Sequence, residues 1–197
     1  MDKIDSKTEK RNSYYKSKLN TRSDKDSGDK YIEGYFAVFD QETEIFNGWY
    51  EKMAQGAFSS SLTKNDIRCL FNHDDGFVLG RTSAGTLELK EDVHGLWGRV
   101  KINSNDRSAM DVYARVERGD ISGCSFGFFP IKEQYEDRAD NSVLNTIIEA
   151  DTIEVSVCTF PAYPQTEIQA RKKSFDVSHK RSLESRKNEL RKRLEEL

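Results

Sequence analysis

The most constraining feature of the chain is its cadence between residues 31 and 162. Short apolar or alternating runs (YIEGYFAVFD, DIRCLF, FVLG, GTLELK, GLWGRVKI, ISGCSFGFFPI, DTIEVSVCTFPA) are separated by Gly, Ser and Asp signals. Runs of this length, bounded by turn formers, read as strands, and many of them in succession predict a barrel or a sandwich. The expected fold is therefore α+β and mostly β, an antiparallel β-barrel with surrounding helices. IFNGWY (45–50) reads as a further strand, EKMAQGAFSSSL (51–62) as a brief helix anchored by Met53, Ala57 and Leu62, and 132–143 as a polar excursion. One longer helix is expected after Ser104 or Asn105 as cap. Ala109, Val112, Tyr113 and Val116 fall at i, i+3, i+4, i+7, and Gly119 stands at the C-terminal cap.

Charge divides the same chain into three. Residues 1–30 carry a net +3, residues 171–197 a net +5, and the body between them −11. The ends lack the apolar content to build a core. We expect 1–30 to be a flexible basic segment, 31–170 the folded domain, and 171–197 a basic tail with an amphipathic helix striped by Leu183, Leu190, Leu194 and Leu197. That stripe needs a partner: the body, a second copy in a homo-oligomer, or another protein's helix. An acidic body repels phosphate, and no finger or RNA-binding motif is present, so no specific nucleic acid is expected. No run approaches a membrane span, and MDKIDSKTEKR is not a signal peptide. Cys69, Cys124 and Cys158 sit in apolar runs at long spacing, as buried reduced thiols do, and neither a metal nor another cofactor is expected.

Three runs carry candidate chemistry. In ISGCSFGFF, alternation puts Cys124, Phe126 and Phe128 on one face and Gly123, Ser125 and Gly127 on the other, a serine on an otherwise bare strand face. A barrel corner needing small residues would look the same. In DIRCLFNH, His73 ends the face of Ile67, Cys69 and Phe71; it is the candidate base, against the plainer reading of a capping histidine. In DTIEVSVC, Glu154 shares a face with Ser156 and Cys158, and a carboxylate in so apolar a strand needs a partner. Serine needs a base because its hydroxyl is scarcely ionised at neutral pH, and the base needs a group that fixes its tautomer. The sequence offers one of each on separate strands, with spacing that does not prove convergence. Ser122, Glu149 and Asp151 are rivals for two roles. Cys124 lies on the core face, which disfavours a thiol enzyme, and His73-Asp74-Asp75 reads as a turn rather than a metal site.

The blocks FNHDDGFVLGRT, EDVHGLWGRV, GDISGCSFGF and IIEADTIEVSVCTFPAYP, over roughly residues 31–168, resemble the prohead maturation proteases of tailed bacteriophages, a family similar in fold to the herpesvirus assemblins. The resemblance implies a herpesvirus-protease-like fold and a serine endopeptidase. Its histidine follows an aromatic-Asn pair, matching His73. Its nucleophile precedes an apolar-Gly-aromatic triplet, matching Ser125. Its third member is acidic, matching Glu154, where the assemblins carry a second histidine. It also implies action inside the procapsid in the host cytoplasm, on scaffold or the scaffold-like N-terminal part of the major capsid protein, and on the enzyme itself. The alternative is a catalytically silent assembly or scaffolding factor on the same fold.

Overall fold

The computed structural model describes residues 10–15 and 19–160, together with Lys187 and Arg191. Eleven strands and two helices are described over residues 11–158: β1 (Arg11–Tyr15), β2 (Asn20–Ser23), β3 (Lys30–Val38), β4 (Thr43–Phe46), β5 (Trp49–Met53), α1 (Ser59–Lys64), β6 (Arg68–Phe71), β7 (Asp74–Arg81), β8 (Leu87–Glu91), β9 (Gly95–Ile102), α2 (Arg107–Arg118), β10 (Gly123–Asp137) and β11 (Val143–Cys158). The chain divides into two units, Met1–Tyr163 and Pro164–Leu197. In the second unit Lys187 and Arg191 are helical, and the leucine stripe lies outside the described residues.

The first unit is α+β and mostly β, as the cadence predicts, but its strands form two sheets rather than a closed barrel. One is antiparallel in the order β2-β3-β9-β8. The other has seven strands, with β1-β10-β11-β5-β4 in order and β6 and β7 branching from β11. Its spine is β11, antiparallel to β10 from Gly123↔Cys158 to Asp137↔Val143. On its other side β11 runs parallel to β5 near its start and to β6 near its end. Apolar side chains from both sheets meet in one core. β9 shows the rule: Leu96, Val100 and Ile102 are buried while Arg99 and Lys101 point outward. Phe126 and Phe128 from β10 pack at 5.2 Å, and Phe58 meets Phe126 edge-on at 5.1 Å. The Cys124 thiol, fully buried, donates to the Tyr35 carbonyl at 3.0 Å and so ties the two sheets together. All three cysteines are buried and free.

Local corrections have physical reasons. Residues 45–50 are a hairpin rather than one strand, because Gly48 at φ 77° supplies the left-handed turn residue between β4 and β5. The brief helix expected at 51–62 starts only at Ser59, since Trp49, Glu51 and Met53 alternate into the interior as strand residues. Residues 132–137 continue β10, their side chains mostly exposed on the outer part of a long hairpin. Within the segment expected to be flexible, residues 11–15 and 20–23 are strands, held by backbone pairing to β10 and β3. In α2 the four expected apolar residues are buried and Gly119 caps at φ 88°, but the N-cap is Asp106, whose carboxylate accepts from the amides of Ser108 (2.9 Å) and Ala109 (3.2 Å). Asp106→Ala is expected to lower stability by about 1 kcal/mol in denaturant titration; Ser104→Ala and Asn105→Ala should change it far less.

Candidate active site

The nucleophile candidate sits where strand alternation places it. Cys124, Phe126 and Phe128 belong to the core, and Ser125 takes the opposite face of β10. Ser125 is fully buried on that face too, and β1 runs antiparallel along the edge of β10, with Tyr14 opposite Ser125 and Asn12 opposite Gly127. The Ser125 hydroxyl donates to the Ser13 carbonyl oxygen at 2.8 Å. Ser122, the rival serine, is exposed and precedes the strand.

His73 is not the last residue of β6. Phe71 pairs with Asp74, so Asn72 and His73 are the two central residues of the β6–β7 hairpin, at φ 53° and 61°. Positive φ at both positions is the requirement of the tight hairpin turn whose twist matches its strands. Non-glycine residues there carry strain, which surrounding contacts must hold. Asn72 supplies them. Its amide N–H donates to the Val157 carbonyl at 3.0 Å, its Oδ1 accepts from the Thr159 amide at 2.9 Å, and its Nδ2 donates to the Thr159 hydroxyl at 3.3 Å. The turn is thereby latched to the end of β11.

The latched turn brings His73 Nδ1 to 2.6 Å from Glu154 Oε1. Glu154 is 3% exposed. Its Oε2 accepts from the Ser156 hydroxyl at 2.7 Å, and the Lys10 ammonium lies 3.5 Å from Oε1. Burial alone would raise the Glu154 carboxyl, but the hydrogen bond and charge of His73, the Ser156 hydroxyl and Lys10 outweigh it and hold the group below its ordinary value. An ionised carboxylate only accepts, so His73 Nδ1 carries the proton of this bond, and the lone pair of a neutral ring is at Nε2. Gly127, opposite Glu154 in the ladder, leaves the space the carboxylate uses. A Cβ there would collide with Glu154 Oε1 and lie 2.6 Å from Lys10 Cε and 2.9 Å from Asn12 Oδ1.

A depressed folded-state value means that Glu154 stabilises the fold above its unfolded pKa of about 4.5, a contribution lost as pH falls below that value through the folded one. Acid unfolding of Glu154→Gln should therefore lack part of the stability lost by the parent chain below about pH 4.5. Superimposable acid-unfolding curves would contradict this.

The rivals lie elsewhere. Asp151 accepts from Asn65 at 2.6 Å, and Glu149 is opposite Lys132 on the far side of a register shift. His94 packs edge-on against Tyr35, and His179 is outside the described residues. Asp74 closes on the Gly76 amide at 2.9 Å, and among the described residues no group of His, Cys, Asp or Glu is placed to hold a metal. Burial pushes the Cys69 and Cys158 thiols upward, away from reactivity. Sequence reasoning missed Lys10, Asn12, Ser13 and Asn72 as neighbours of the site. Ser156 lies where alternation puts it, two residues from Glu154 on the same strand face. The three residues of the N-terminal segment gave no signal, because nothing in KRNS alternates.

A chain of Enterobacteria phage HK97 described as "Prohead protease" is 29% identical over 160 residues, which is 78% of this chain and 65% of that one. The chain thus spans 65% of the length of that relative. The solved structure of the bacteriophage T4 capsid assembly protease aligns with a TM-score of 0.44 at 12% identity, covering 74% of this chain and 96% of the other. Among the described residues no helix is long and apolar enough to cross a membrane. The family profile described as "Caudovirus prohead serine protease" matches residues 17–181, most of the sequence, and the chain belongs to that family.

Proposed function

We propose that the chain is a serine endopeptidase of phage capsid maturation, with Ser125 as nucleophile, His73 as general base and Glu154 as the group that orients His73. The observation that carries this reading is the 2.6 Å contact between His73 Nδ1 and a buried carboxylate on the strand next to that of Ser125. A carboxylate so placed holds the imidazole in the tautomer whose Nε2 accepts a proton. In the reaction, Ser125 Oγ attacks the peptide carbonyl carbon as its proton passes to His73 Nε2. The imidazolium, stabilised by Glu154, then protonates the leaving amine. Water repeats the sequence on the acyl-enzyme. The substrates are the major capsid protein or its scaffold, met inside the procapsid, and the chain's own ends. The basic C-terminal tail, with its leucine stripe, serves recruitment into the particle.

Co-expression with the capsid protein and scaffold of the same phage tests this. Shortened capsid or scaffold products that disappear with Ser125→Ala are expected. Full-length products throughout, with particles still assembling, would make the chain a silent assembly factor instead.

A further inference from the structure

The strand beside Ser125 occupies an edge to which a peptide could add. An extended peptide adds to an exposed strand edge through its main chain, and pockets beside that edge select alternate side chains. In this structure the edge of β10 at Ser125 is occupied by residues 11–15 of the chain itself, antiparallel and in register. Alternation sends Lys10 and Asn12 toward Gly127, and Lys10 reaches Glu154, while Arg11 and Ser13 point toward Glu51. Arg11 Nη1 is 2.5 Å from Glu133 Oε1 and 3.5 Å from Glu51 Oε2; the Ser13 hydroxyl reaches Glu51 Oε1 at 3.3 Å, and Asn145 Nδ2 donates to Glu133 Oε1 at 2.8 Å. The Arg11 and Glu51 side chains are 11% and 4% exposed. Glu51 is buried and Glu133 half-buried, and both carboxylates share this one guanidinium, whose planar fork suits two acceptors. Burial opposes the Arg11 charge, but Glu51 and Glu133 outweigh it.

We propose that β1 is a resident plug in the peptide-binding edge of β10, and that the Glu51–Glu133 pocket which holds Arg11 selects substrates with a basic side chain two residues before the carbonyl presented to Ser125. The inference rests on the assignment of Ser125 as nucleophile. Its basis is the contact at that atom: the hydroxyl donates to the oxygen of the Ser13 carbonyl. Attack needs Oγ over a carbonyl carbon with its proton passing to the base. The Ser13 contact instead occupies the hydroxyl proton, so β1 fills the edge without being cut there.

The test uses the full-length chain and a fluorophosphonate that labels active serines. Arg11→Glu places a third carboxylate against Glu51 and Glu133 and should expel β1. Hydrogen exchange of the amides in 123–128 reports the expulsion independently of activity. The expected result is lost protection and labelling about tenfold faster, as for a site whose competent state rises from a tenth of the population. Arg11→Glu combined with Glu133→Arg should restore slow labelling. The synthetic hexapeptide of residues 10–15 should slow labelling of Arg11→Glu, and the same peptide with glutamate in the arginine's place should not. If wild type labels and Arg11→Glu labels at the same rate despite lost protection, the plug is wrong while the nucleophile stands. If the two hexapeptides act alike, the pocket does not select charge. If no variant labels, the nucleophile assignment fails and takes this inference with it.

Discussion

Ser125→Ala is expected to abolish cleavage, a loss of roughly a million-fold in turnover of the kind seen when a serine enzyme loses its nucleophile, while the fold stays intact. The hydroxyl sits on the small-residue face of β10, so its removal opens no sizeable apolar cavity. It gives up one hydrogen bond, to the Ser13 carbonyl, worth about 1 kcal/mol. His73→Ala should be as inactive, and the double variant no worse than either single one, because nucleophile and base act as a unit. Glu154→Gln should fall short of both, since it weakens the orientation of a base that remains. Retained cleavage in Ser125→Ala with loss in Ser122→Ala would move the nucleophile. Loss confined to Asp151→Asn or Glu149→Gln would move the third member.

Gly127→Val should be nearly as damaging without removing any reacting group. A side chain at that position must displace Glu154 Oε1, the Lys10 stem or the Asn12 amide, all of which crowd the space its missing Cβ leaves. Overpacking of this kind costs about 1–3 kcal/mol of stability. Displacing the carboxylate also swings the histidine, and a misplacement of about 1 Å costs on the order of a hundredfold in rate. Thermal unfolding and cleavage of the same preparation separate the two effects. A folded Gly127→Val chain with parental activity would mean that the Glu154–His73 contact does not set the rate.

The candidate site was legible where side-chain period alone decides placement. Cys124, Phe126 and Phe128 against Ser125 and Gly127, and Glu154 with Ser156, follow from alternation in strands that are truly strands. The position of His73 was harder to read. Asp75-Gly76 offers a stronger turn signal than Asn72-His73, yet the hairpin turns at the latter because Asn72 is clamped to Thr159, a partner 87 residues away. The polar half of β10 was hidden because its outer side chains are solvated, and strand composition there carries no hydrophobic imprint. β1 was hidden for a related reason. Its hold on β10 comes from backbone pairing and the Arg11 ion pairs, neither of which RNSYY announces.

The place of β1 within the same chain as β10 has a consequence for competition. β1 ends at Tyr15 and β2 begins at Asn20, so the plug proposed above is an intramolecular ligand. Segments linked in this way experience their site at an effective concentration on the order of millimolar. A dilute peptide in free solution competes poorly against that. A protein chain held beside the enzyme at comparable density competes on even terms, so access to Ser125 becomes a function of crowding around the molecule.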